Sequence, residues 1–180
     1  MIFAYADPPY IGQAKKHYGT HPDYAGEVDH AVLIARLVAE FPDGWALSLS
    51  AQSLQRILAL CPDDVRVLIW VKRYHGMLPG LRLQYGYEPV IMRGGRQGPH
   101  VTGETTLRDW VDCNPEAWTF REMPPNHVTG KKPAPFCWWL FECLGMQSGD
   151  ELVDLFPGTG AVTQAWERFR RNADLYRVHR

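Results

Sequence analysis

Apolar runs of strand length alternate with stretches of three-four apolar spacing along most of the chain, and this alternation restricts the fold more than any single residue does. Residues 2–6 form a short apolar run stopped by Asp7, Pro8, Pro9 and Tyr10. Two prolines cannot continue a central strand, so the run ends in a loop. Residues 11–27 are polar and read as a further loop. Asp29 then stands as a helix cap ahead of Leu33, Ile34, Leu37, Val38 and Phe41, which follow helical spacing. Further strands are expected at 45–50, 67–71, 85–92 and 151–156, and further helices at 53–60, 135–144 and 161–171. Pro89 assigns its strand to an edge or a bulge, because proline cannot donate to a ladder. Residues 93–128 lose regularity and read as a short inserted region within one domain spanning 1–180. Strands alternating with helices imply an α/β fold, a mainly parallel Rossmann-like sheet with helices on both faces. A chain of 180 residues is long enough to bury one core of useful size.

Charge separates whole-molecule from local behaviour. The formal net charge is −1, so bulk attraction to a polyanion is excluded as a driving force. Between residues 65 and 100, however, Arg66, Lys72, Arg73, Arg82, Arg93 and Arg96 face the single acid Glu88. Lys72, Arg73, Arg93 and Arg96 are the candidates for phosphate contact if the fold gathers them on one face, the alternative being a solvated face. The tail repeats the pattern with Arg168, Arg170, Arg171, Arg177 and Arg180. Cys61, Cys113, Cys137 and Cys143 form no CxxC pair and no zinc spacing, so no metal site is expected and the thiols read as reduced. The longest apolar stretch, 136–144, is too short to span a bilayer, and the chain opens almost directly on a strand, which gives a cytoplasmic expectation and no membrane partner.

Two loops carry unusual chemistry. In residues 157–160, Pro157, Gly158, Thr159 and Gly160 follow the strand that ends with Asp154 and Phe156, and they open a helix. Glycine lets backbone approach a ligand closely, and a helix N-terminus offers free N–H groups to a carboxylate or phosphate. Such turns are often geometry alone. The tetrapeptide Asp7-Pro8-Pro9-Tyr10 is sharper. Pro9 has no N–H, so the Pro8 carbonyl and the Asp7 carboxylate stand as two rigidly held acceptors. An exocyclic amine carries two N–H donors, which this pair fits, and Tyr10 adds a flat face for stacking. In an α/β sheet, ligands bind beyond the carboxyl ends of strands. If the two strands are neighbours, both loops open onto one crevice.

Together these residues resemble the DNA amino-methyltransferases that modify adenine N6 or cytosine N4. Asp7-Pro8-Pro9-Tyr10 matches the family's catalytic motif, and Asp154, Phe156, Gly158 and Gly160 match its cofactor loop. Lys132-Pro133 stands where the family carries a Lys-Pro pair opening a helix. The order catalytic loop, Lys-Pro helix, glycine loop is that of the permuted β class. The resemblance covers residues 2–92 and 127–171 and implies a circularly permuted S-adenosylmethionine-dependent methyltransferase fold. It further implies that Asp7 and the Pro8 carbonyl bind the target amine and that Tyr10 stacks on a flipped base. Asp154, Phe156, Pro157, Gly158, Thr159 and Gly160, with Lys132 and Pro133, would border S-adenosylmethionine. The implied substrate is DNA, with adenine N6 ahead of cytosine N4 because the motif begins with Asp, and RNA a minority reading. A nucleic-acid- or partner-binding module with this fold and no activity is the reading from a different class.

The chain departs from the family twice. The position at which the family usually carries an acidic residue for the cofactor ribose falls among Val178, His179 and Arg180, none of them acidic, while Asp174 comes too early. The inserted region is short for target recognition, and a homodimer or a partner subunit is the expected supplement. Its Arg93, Arg96, His100, Arg108, Trp110, Trp118 and Arg121 suit phosphate contact and base stacking, although large aromatics usually belong to the core.

Overall fold

The computed structural model describes residues 1–12, 26–72, 80–98, 106–114 and 131–172. Within them six strands form one sheet: β1 (Ile2–Ala6), β2 (Gly44–Ser48), β3 (Arg66–Val71), β4 (Tyr87–Gly94), β5 (Trp110–Asp112) and β6 (Glu151–Asp154). Their order across the sheet is β5-β3-β4-β2-β1-β6. β1 pairs in parallel with both β2 and β6, and β3 with β5, whereas β4 runs antiparallel to β2 and β3. The sheet is therefore mainly parallel, with one reversed strand.

Helices α1 (His30–Glu40), α2 (Leu54–Leu58), α3 (Ala134–Cys143) and α4 (Ala161–Arg171) cover the two faces, and a 3-10 turn (Ala51–Ser53) leads into α2. Local chemistry sets their ends. The Asp29 carboxylate accepts from the amides of Ala31 at 2.9 Å and Val32 at 3.2 Å, satisfying donors that the first turn leaves free. At the end of α3, Gly145 takes a φ of 66°, and the Met146 amide returns to the Phe141 carbonyl at 2.9 Å. That is a glycine stop with a six-to-one backbone bond.

Strand alternation sorts the core into two layers. Phe3 and Tyr5 of β1 face α3 and α4, packing with Trp70, Phe136, Phe141, Trp166 and Phe169. Ala4 and Ala6 face the opposite layer, with Leu33, Ile34 and Leu37 of α1 and Ile57 of α2. Phe136 is fully buried, and its ring centroid lies 4.9 Å from Trp70, 5.9 Å from Trp139 and 6.5 Å from Tyr5. No helix among the described residues is long and apolar enough to cross a membrane.

Three expectations need correction. Pro89 lies in β4, an interior strand, opposite Ile69 of β3. Its carbonyl accepts the Leu49 amide at 3.2 Å, just past the end of β2, so the missing N–H faces the side where ladder pairing with β2 has stopped. Residues 93–128 are not wholly irregular, because β5 adds an edge strand there. Three residues are too few for period-two alternation to show in sequence. Trp110, on that edge strand, is 41% exposed rather than core, with the Arg108 guanidinium 5.2 Å from its ring. Trp118 lies outside the described residues.

Because Phe136 joins three aromatic partners across the α3 face, Phe136→Ala is expected to cost about 3–5 kcal/mol. Urea unfolding checks this through a lower midpoint at an unchanged slope.

Candidate functional site

The register of β1 on β6 builds the site. Tyr5 lies opposite Asp154, and the Leu155 amide donates to the Tyr5 carbonyl at 2.9 Å. The tetrapeptide after β1 and the glycine turn after β6 therefore leave the sheet side by side at its carboxyl end. Their carboxylates sense each other, since Asp7 pushes the Asp154 pKa further up beyond the main effect of burial.

Behind the tetrapeptide lies a chain of alternating charges. The Lys132 ammonium sits 2.8 Å and 2.9 Å from the two Asp7 carboxylate oxygens and 3.4 Å from Oε2 of Glu88. Lys72 pairs with the other Glu88 oxygen. The Lys132 side chain is only 4% exposed, so its charge is sustained by partners and not by water. Burial alone would favour a neutral amine there, but Asp7, Tyr5, Tyr10 and Glu88 outweigh it and hold the Lys132 pKa well above its ordinary value. For Asp7 the balance differs. Burial raises its pKa, and Lys132 reverses only part of that rise. Burial also pushes Glu88 up, yet Lys132 and Lys72 outweigh it and bring its pKa below the ordinary value.

Aromatic groups frame this chain. The Tyr10 hydroxyl is hydrogen-bonded to Glu88, and the Lys132 ammonium lies 6.0 Å from the Tyr10 ring centroid and 5.7 Å from that of Trp70. Tyr5 shares a buried 2.7 Å hydrogen bond with Ser48, and burial keeps its phenol protonated. Pro8 and Pro133 are buried, which fixes both loop backbones.

The glycine turn is open where the tetrapeptide is packed. Gly158 and Gly160 adopt φ of 48° and 72°, a region costly for other residues. A side-chain carbon at Gly158 would meet nothing closer than the Phe156 carbonyl at 3.9 Å, so backbone geometry and not crowding selects glycine. Gly160 caps α4 with no side chain on the first-turn amides. Asp154 braces the turn, accepting from the Phe156 amide at 3.2 Å and the Thr163 hydroxyl at 3.4 Å. Pro157 and Thr159 are exposed beside it, and Phe156 is half-buried.

The expected phosphate contacts do not gather at this end of the sheet. Lys72 follows the carboxyl end of β3, but its ammonium is committed to Glu88 and lies 4.6 Å from the Trp70 ring. Arg93 and Arg96 come at the far end of the antiparallel strand β4, beside the amino ends of the parallel strands. Arg93 pairs with Asp64 at 2.7 Å. Arg96 holds Asp150 with two bonds of 2.8 Å and 3.0 Å, and this pairing keeps the Asp150 pKa well below the carboxylate range. Both arginines are paired with carboxylates, and Arg96 with a buried one. Arg73, His100 and Arg121 lie outside the described residues, as do Asp174, Val178, His179 and Arg180. Sequence reasoning did not assign Glu88 to the site, although its standing as the single acid in a basic stretch was the available signal.

Removing Lys132 leaves Asp7 without its direct cation, a change that costs about 3–5 kcal/mol for a buried pair. Lys132→Met is therefore expected to lower stability by about that much at neutral pH, without abolishing the fold. The deficit shrinks on acidification. Asp7 in the variant has a folded pKa raised further above its unfolded value, so the folded state binds a proton first and gains stability as pH falls through that interval. Unfolding midpoints measured from pH 7 to pH 4, roughly the range that brackets an ordinary carboxylate, test the sign.

No sequence-family model matches the chain, nor does any curated protein sequence. Solved structures do resemble it. The complex of M1.HpyAVI with SAM superposes with a TM-score of 0.60 at 15% identity, over 93% of this chain and 77% of that one. M1.HpyAVI alone gives a TM-score of 0.53 at 16% identity, over 93% and 76%. A candidate DNA modification methylase of Thermus thermophilus gives 0.50 at 15% identity, over 92% and 75%. This likeness over nearly the whole length shows that the chain shares the α/β fold of these structures.

Proposed function

We propose that this protein is an S-adenosylmethionine-dependent DNA methyltransferase acting on the exocyclic amine of a flipped base, adenine N6 being the reading its tetrapeptide favours. The observation that carries the proposal is the side-by-side exit of Asp7-Pro8-Pro9-Tyr10 and the Gly158–Gly160 turn from neighbouring parallel strands. One crevice then receives both an amine and a cofactor. The tetrapeptide also precedes the glycine turn in the chain, the order expected of a permuted enzyme forming one domain.

The residues around the glycine turn fit the cofactor. Space lies open above Gly158, uncapped amides at the start of α4 can receive a carboxylate, and the Asp154 carboxylate can receive an ammonium. Phe156, Pro157 and Thr159 belong to the same turn, and on this reading Lys132-Pro133, ahead of α3, would border the cofactor. Bound there, S-adenosylmethionine supplies a sulfonium methyl as the electrophile. The protein's own work is positioning. Asp7 accepts one N–H of the amine and the Pro8 carbonyl accepts the other, which turns the nitrogen lone pair outward. Lys132 favours the charged, accepting form of Asp7 against the burial that opposes it. Tyr10, held through its hydroxyl by Glu88, offers its ring to the base.

The experiment is transfer from labelled S-adenosylmethionine to unmethylated DNA and to RNA, followed by nucleoside mass spectrometry. The expected product is N6-methyldeoxyadenosine. N4-methyldeoxycytidine would change the base and the ribonucleoside would change the polymer. Asp7→Ala is expected to keep cofactor binding in calorimetry while losing transfer by about 100-fold or more. Nucleic-acid binding with no cofactor heat and no product would point to a binding module instead.

A further inference from the structure

We infer that Lys72 is a positioning residue: by engaging Glu88 it leaves the Lys132 ammonium to Asp7. The catalytic consequence rests on the methyltransferase reading, while the charge arrangement stands without it. Two carboxylates and two ammonium groups occupy a nearly closed space, with side-chain exposures of 19% for Lys72, 15% for Glu88, 4% for Lys132 and 22% for Asp7. Lys132 is unequally shared. It lies within 2.9 Å of both Asp7 oxygens but 3.4 Å from Glu88. Lys72 has taken the other Glu88 oxygen, and both ammonium groups lie near the Trp70 ring, at 4.6 Å and 5.7 Å from its centroid.

The pairing makes a directional claim. Without Lys72, Glu88 would be a buried carboxylate with Lys132 as its remaining cation, and the Lys132 ammonium would be drawn from Asp7 toward it. Ionised Asp7 is the stronger acceptor for an amine N–H, so its loss of a partner appears as weakened transfer at mildly acid pH. The groups facing Asp7 are Lys132 ahead of α3, Cys137 on α3, Glu88 on β4, Lys72 after β3, Tyr5 on β1, Tyr10 on its own loop and Asp154 on β6. Of these, Lys132 and Lys72 favour the Asp7 carboxylate and Glu88 opposes it.

The test is the pH profile of kcat for methyl transfer, read beside a carbon-13 carboxyl NMR titration of Asp7 in the whole protein. Lys72→Met is expected to move the acid limb of kcat and the Asp7 midpoint upward together, by about one pH unit. Lys72→Arg keeps the wild-type profile. Glu88→Gln moves both downward, because it removes a negative neighbour and releases Lys132 to Asp7. The double variant Lys72→Met with Glu88→Gln returns the limb to the wild-type position or below. Rescue by removing a second charged residue is an outcome that a phosphate-contacting Lys72 cannot give. That role instead raises KM for DNA in Lys72→Met and leaves it raised in the double variant, which would overturn the inference. An Asp7 midpoint that Glu88→Gln leaves unmoved or raises would overturn it as well, even if Lys72→Met failed to fold. Absence of transfer by the wild-type protein would defeat the enzymatic reading, and the Asp7 titration would still decide the charge arrangement.

Discussion

The pairing of β1 with β6 is the constraint on which the rest of the molecule depends. Parallel strands exchange evenly spaced hydrogen bonds, so a fixed register also fixes which residues leave the sheet together. With Tyr5 opposite Asp154, Asp7 emerges next to the residues that begin the glycine turn. A slip of one residue would send Phe3 and Tyr5 into the α1 layer and Ala4 and Ala6 toward α3, exchanging large side chains for small ones on both faces. The side chains that fill the core thus hold the two loops in alignment, with no direct bond between the loops required.

Charge behind the tetrapeptide follows from the same packing. A single buried carboxylate at the end of β1 would be driven to protonate, and burial does raise Asp7. Lys132 opposes that shift, but an ammonium with 4% exposure needs more than one partner, and Glu88 is the second. Glu88 in turn would be costly without Lys72. Each charge explains the next, and the series runs between its two more exposed ends, Asp7 at 22% and Lys72 at 19%. Tyr10 joins through its hydroxyl, so the ring proposed to receive a base is oriented by the group that balances the two lysines.

Much of the fold was legible because local and tertiary preferences agree. The Asp29 cap, the three-four spacing through Leu37 and the proline stop after Ala6 are decided within a few residues. The tetrapeptide and the glycine turn stood out through their combination, since a proline turn or a glycine turn by itself is often geometry alone. What the sequence hid depends on distant partners. Pro89 is tolerated in an interior strand because β2 stops at Ser48, forty-one residues earlier in the chain, and no local pattern around Pro89 records that. Lys72, Arg93 and Arg96 looked alike as basic residues in one stretch, yet they are divided by the direction of β4 and by Glu88, Asp64 and Asp150.

That division also bears on how a polyanion could be received. Arg96 is held by the buried Asp150 and must break that pair before it can neutralise a phosphate, whereas Arg93 is held only by the exposed Asp64. α4 starts at the carboxyl end of β6, and its last-turn Arg168, Arg170 and Arg171 are therefore carried away from the crevice. Behind the tetrapeptide the Asp7, Lys132, Glu88 and Lys72 charges sum to zero. On the proposed reading this neutrality is useful, because a sulfonium is cationic, a DNA backbone is anionic and a flipped base is neutral. A cluster with no net charge repels none of them at long range. At short range it still presents the Asp7 carboxylate to an amine, and short range is where the two N–H groups of that amine can be told from any other surface.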